Sequence, residues 1–175
     1  KAAAHADRVA REVDDLRTKV KGRSESLARR FDRVLRLLET WGYLDGWQLT
    51  ESGERLSRLF HESDLLVAEA MERELLDGLD APTLAALVSC FTYEHRSPEA
   101  PPAPWFPSAK ARKRWEMIEA IAKALNVDED DAALPLTRLP DPTFAAVAFA
   151  WAAGEGFASV VAEEELSGGD FVRNI

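Results

Sequence analysis

Asp80-Ala81-Pro82-Thr83-Leu84-Ala85-Ala86-Leu87-Val88-Ser89-Cys90-Phe91-Thr92-Tyr93-Glu94 is the stretch that decides the fold. Asp80 breaks the preceding helix, and Pro82 suits a first helical turn because its missing N–H has no intrahelical partner there. The segment that follows predicts a helix over about 82–94. Leu84, Leu87, Val88 and Phe91 share one face, and Ala85 and Ala86 permit close packing. Its apolar surface runs nearly all round, which predicts the most buried helix of the molecule.

Helical periodicity extends outward from this segment in both directions. Upstream, residues 62–77 carry Leu65, Leu66, Ala68, Ala70, Met71, Leu75 and Leu76 on a broad apolar side. Before them, Gly42-Tyr43-Leu44-Asp45-Gly46 is a turn cluster, Trp47-Gln48-Leu49 alternates like a short strand, and Thr50-Glu51-Ser52-Gly53 opens a helix. Ser24 or Ser26 caps a helix running through Leu27, Phe31, Val34, Leu35 and Leu38 to about Trp41. Val9, Val13, Leu16 and Val20 form a narrow stripe on a helix over 2–21, the pattern of one helix lying on another. Residues 2–41 read as a two-helix arm, with one long bent helix as the alternative.

Downstream, five prolines between Ser97 and Pro107 forbid regular structure, with Trp105 and Phe106 placed to pin that loop to the body. A helix from Ser108 to Leu125 follows, turning Trp115, Ile118, Ile121, Ala122 and Leu125 inward and carrying Lys110, Arg112, Lys113 and Arg114 in its first turns. Asp128-Glu129-Asp130-Asp131 reads as a solvated run at a helix start. Asp141-Pro142 begins another helix, which Gly154 ends. Phe157 starts a short one, and Asp170 caps a last one opened by Phe171-Val172-Arg173-Asn174-Ile175. The expected fold is all-α: a helical bundle with an N-terminal helical arm and at most a small β-hairpin.

Composition narrows the function. Of 175 residues, 46% are hydrophobic and 30% charged, which fits a globular chain and excludes a largely disordered one. No apolar run reaches the roughly 20 residues of a membrane-spanning helix, so no membrane partner is expected. The single cysteine excludes an internal disulfide and any multi-thiolate zinc site, which points to a cytoplasmic setting. The net charge of −9 hides a gradient: residues 1–36 carry eleven basic and six acidic side chains, whereas 37–100 carry four and thirteen. A wholesale polyanion-binding surface is therefore excluded, and a local phosphate contact near a helix end stays open.

Catalytic constellations are absent from the sequence. His5, His61 and His95 lack metal-ligand spacing, no phosphate-binding loop occurs, and Cys90 sits on the buried helix, where a thiol packs rather than reacts. The acidic run at 128–131 lacks the glycine and distal glutamate of a calcium loop. No catalytic residue, metal ligand or cofactor is expected in this chain. Two polar positions stand out. Glu94 lies at the end of the buried helix, where its charge opposes the helix dipole and calls for a partner in Arg96, His95 or another domain; a plain exposed glutamate is the alternative. Arg173 lies in a first helical turn that already favours an anion, with a surface pair to Asp170 as the alternative.

Several segments in order resemble one family. They are Arg33-Val34-Leu35, Gly42-Tyr43-Leu44-Asp45, Leu49-Thr50 with Gly53, and Asp64 to Glu69. Leu84 to Phe91 with Glu94, Trp151-x-x-Gly154-x-x-Phe157, and Gly169-Asp170-Phe171-Val172-Arg173 complete the series. The succession, from about residue 26 to the end, resembles the C-terminal helical (DSHCT) domain of superkiller-type DExH-box RNA helicases, bacterial branch. The resemblance implies a non-catalytic domain of a larger ATP-dependent motor. RecA-like domains with ATP and Mg2+ and a winged-helix domain would lie in the same polypeptide, and single-stranded RNA would pass through their shared channel. It also implies Arg173, Asn174 and Glu94 as RNA-contacting residues, with 171–175 opening the RNA-facing ratchet helix. Residues 1–25 would be the returning helix of an inserted arm, and 26–175 a DSHCT-like domain cut short before that helix ends. The rival reading is a stand-alone helical or winged-helix-like module whose arm docks a partner helix.

Overall fold

The computed structural model describes residues 13, 16, 26–96, 100–163 (161–163 for their backbone) and 171–172. Among these, seven α-helices and one two-stranded hairpin follow one another, so the fold is all-α with a small β-hairpin. Helix α1 covers 26–40, and a hairpin pairs β1 (Leu44–Asp45) with β2 (Gln48–Leu49). Then come α2 (Glu51–Leu56), α3 (Asp64–Glu72), α4 (Ala81–Thr92) and α5 (Ala109–Asp131). A 3-10 turn (Pro142–Phe144) leads into α6 (Ala145–Ala152), and α7 (Phe157–Glu163) follows. Of the expected arm, residues 13 and 16 are helical and the rest before 26 lies outside the described residues.

Local chemistry accounts for the joints. Helix α1 stops where Gly42 takes a φ of 80° and the Tyr43 N–H reaches back to the Leu38 carbonyl at 2.8 Å, closing the last turn. The hairpin turns at Gly46-Trp47, Gly46 supplying the positive φ. Thr50 then caps α2, its hydroxyl accepting from the Gly53 N–H at 3.1 Å and donating to the Gly42 carbonyl at 2.8 Å. Asp80 caps α4 and Ser108 caps α5 in the same manner.

Three expectations need correction. Helix α3 ends at Glu72 rather than near 77, because Glu74 adopts a left-handed φ of 55° and turns Leu75 into the core. The α4 face is also rotated. Thr83, Ala86, Leu87, Ser89, Cys90 and Phe91 are the buried set, whereas Val88 is 40% exposed. Finally, α5 runs on to Asp131, so the acidic run closes a helix instead of opening one. Its carboxylates are used from that end: Glu129 is buried and accepts from the Thr137 N–H and hydroxyl, and Asp128 accepts from the Trp41 indole at 2.9 Å. Tertiary acceptor demand overrides the local preference to end at Leu125.

The interior forms three apolar clusters. One joins Leu37 and Tyr43 to α3, Phe91 and the inward face of α5. A second gathers Ala86, Leu87 and Cys90 of α4 with Phe106, Ala111, Trp115 and Ala145. The proline-rich loop is pinned as its aromatics suggest: Phe106 stacks on Trp115, and Trp105 meets Phe149 edge-on at 5.3 Å. The third contains Phe144, Val147, Ala148, Val160 and Phe171, with Tyr93 and Ala150 at its margin. Helix α4 packs most extensively against α6 and so links the last two clusters.

Candidate nucleic-acid interface

The third cluster contains Phe171, which with Val172 is helical. Gly154, at a φ of 94°, ends α6 and lets α7 begin at Phe157. Trp151 and Phe157 thereby close on a single ring: Phe171 meets Trp151 at 5.2 Å and Phe157 at 5.1 Å, both edge-to-face. Such a three-ring contact adds specific geometry to burial. Phe171 is only 3% exposed, whereas Val172 beside it is 73% exposed. The motif Trp-x-x-Gly-x-x-Phe is thus a clamp on the residue that precedes Val172 and Arg173. Arg173 and Asn174 themselves lie outside the described residues.

Glu94 lies two residues past the end of α4, in extended chain, and is exposed. Its carboxylate pairs with Arg96 at 2.6 Å, the partner anticipated in sequence. Tyr93, immediately before it, stacks on Phe144 at 4.9 Å and borders the cluster that holds Phe171. Glu94, through Tyr93, and Val172, through Phe171, are therefore attached to the same apolar cluster.

The backbone carrying Glu94 is strapped down by residues of the loop after α5. Arg138 donates to the carbonyls of Phe91 and Tyr93, each at 2.7 Å, and to the Glu62 carboxylate at 2.9 Å. A cation at a helix C-terminus satisfies carbonyls that have no intrahelical donor. That hydrogen bond from Arg138 lowers the pKa of the Glu62 carboxyl. Asp141 works beside it. Its carboxylate accepts the His95 N–H at 2.7 Å and the Thr143 N–H and hydroxyl, while its own N–H donates to the Cys90 carbonyl. Neither role was legible in sequence: Arg138 carries no local motif, and Asp141 signalled only a helix start.

The remaining candidates are accounted for structurally. Cys90 is fully buried and its thiol is pushed up to about 12 by desolvation, the opposite of a nucleophile's setting. His61 accepts the Ser63 N–H at its Nδ1 at the start of α3. His5 lies outside the described residues. Among the described residues no three His, Cys, Asp or Glu side chains converge as a metal site would require. No described helix is long and apolar enough to cross a membrane.

Comparison with known proteins follows the same lines. The sequence model of the DSHCT (NUC185) domain matches residues 46–175. A protein named "Probable helicase HelY" from Mycobacterium leprae (strain TN) is 35% identical over 180 residues, covering 95% of this chain and 20% of that protein. A protein of the same name from Mycobacterium tuberculosis (strain H37Rv) is 32% identical over the same shares. The chain thus spans about 20% of the length of these curated relatives. The second hairpin strand, the α4–α6 pairing and the Phe171 clamp all fall inside the matched segment, and the chain belongs to the DSHCT (NUC185) domain family.

Proposed function

We propose that this domain is a non-catalytic C-terminal part of a cytoplasmic ATP-dependent RNA helicase, where it helps form the channel that guides single-stranded RNA. Its partners are RNA and the RecA-like and winged-helix domains of the same polypeptide, which supply the ATP and Mg2+ chemistry. Arg173, Asn174 and Glu94 are the proposed RNA-contacting residues, and 1–25 the returning helix of an inserted arm. The observation that carries the reading is the Phe171 clamp: one residue is anchored by Trp151 and Phe157 while the next is open to solvent. A helix fixed at its start in this way can present a wall to a moving strand without moving itself. The names of the mycobacterial relatives support the helicase part of this reading.

The test is made in the full-length helicase. Arg173→Ala and Glu94→Ala are expected to slow strand unwinding several-fold while leaving ATP binding unchanged. Wild-type unwinding by both variants would remove the site assignment. Exposed apolar side chains on the N-terminal segment, Leu16, Leu27 and Phe31, favour a second reading in which that segment docks a partner helix. Pull-down of the same partner by wild type and by Leu27→Glu/Phe31→Glu would sink it.

A further inference from the structure

The cations of this domain are not neutralised evenly. Arg55 holds Glu51 and Glu72, Arg73 holds Glu69, Arg96 holds Glu94, Lys123 holds Glu119 and Arg138 holds Glu62. Four of the seven basic residues after position 100 fall within five positions, at Lys110, Arg112, Lys113 and Arg114. Arg114 is committed to the Leu75 and Asp77 carbonyls. Lys110, Arg112 and Lys113 are exposed, and none of the ion pairs found among the described residues includes them.

These three cations sit on a rigid support. Ala111, Trp115 and Ile118 bury the opposite side of α5, fixing the exposed side outward. Arg112 lies over the Phe106 ring at 5.6 Å, which holds its guanidinium against the proline-rich loop. Trp105 precedes that ring in sequence and remains 44% exposed with its edge on Phe149. Cations on one helix face, with a half-exposed aromatic on the loop that leads into it, are what a single strand uses, its phosphates pairing with charge and its bases stacking on rings. An acidic protein segment would use the charges but not the ring.

We infer that Lys110, Arg112 and Lys113, with Trp105, form a second contact for the single-stranded RNA backbone, separate from Glu94 and the terminal helix. The inference rests on the RNA-guiding reading above and adds a place where the strand is gripped. The patch is local on an otherwise acidic body, so it holds a few phosphates without making the whole surface sticky to nucleic acid.

The test is binding of fluorescent oligouridylate by the full-length helicase across a salt series. Lys110→Gln/Lys113→Gln removes two phosphate contacts, and the slope of log affinity against log salt is expected to fall by about 1.4. Trp105→Ala is expected to weaken binding several-fold with the slope unchanged. Lys123→Gln, on the same helix but already paired, serves as the control and should match wild type. Wild-type affinity and slope in Lys110→Gln/Lys113→Gln would overturn the inference. If Arg173→Ala still slowed unwinding, the channel reading would survive that result. If it did not, both would fall. Loss of polyglutamate binding with oligouridylate binding intact would assign the patch to an acidic protein and overturn the RNA contact.

Discussion

A β-carbon placed on Gly53 would lie 2.1 Å from the carbonyl oxygen of Tyr43. The chain entering the hairpin and α2 meet backbone to backbone at this point, and the same carbonyl accepts the Thr50 N–H at 3.2 Å. Gly53→Ala should therefore force the hairpin off α2 and cost about 1–3 kcal/mol, the range for overpacking. Urea unfolding measures it, and a variant as stable as wild type would refute the close approach.

Tyr43 also reaches across the core. Its hydroxyl donates to Glu69 Oε1 at 2.8 Å, while Arg73 holds Glu69 Oε2 at 2.8 Å. Burial, and then the hydrogen bond to Glu69, push the Tyr43 phenol above its ordinary range. Tyr43→Phe leaves one oxygen of a buried carboxylate without its donor, for an expected loss of about 1–3 kcal/mol. The double variant Tyr43→Phe/Glu69→Leu should lose less than the sum of the two single variants, which a double-mutant cycle checks.

Alkaline stability follows from Cys90. The thiol is raised from 9.0 to about 12 on folding. Between those values the unfolded chain has released its proton and the folded chain has not, so the unfolded state binds fewer protons and stability falls as pH rises. The stabilisation is complete below pH 9 and lost on the way to about 12. Cys90→Ala should flatten the decline across that window, leaving the part due to Tyr43. An unchanged slope would contradict the burial of the thiol.

Arg138 and Glu94 separate structure from function. Arg138→Met leaves the Phe91 and Tyr93 carbonyls without their donor and should cost about 2 kcal/mol, with faster amide exchange over 91–96. Glu94→Ala breaks only an exposed pair and should change stability by less than about 1 kcal/mol. If the two variants destabilise equally, the strap is not what holds this segment.

Much of the architecture is local and was readable as such. Asp80 and Ser108 cap helices at the positions their side chains predict, Gly154 ends α6, and Trp105 and Phe106 pin the loop that the prolines keep irregular. The candidate site was half legible. Glu94 stood out by its clash with a helix dipole, and its partner Arg96 lies two residues away. Phe171 was marked by its motif, but its clamp by Trp151 and Phe157 needed coordinates.

The sequence by itself determined the class of fold, the number and order of most helices, and the lack of catalytic motifs, because caps, apolar spacing and proline act within a few residues. Tertiary structure alone decided where α3 and α5 end, which face of α4 is inward, and what holds Glu94 in place. Those outcomes depend on partners that lie beyond a helical turn, some of them far apart in the chain: Glu129 with Thr137, Asp128 with Trp41, Arg138 with Phe91. A left-handed turn at Glu74 or a carboxylate sunk beside Thr137 costs locally, and only the contacts it makes across the fold offset that cost.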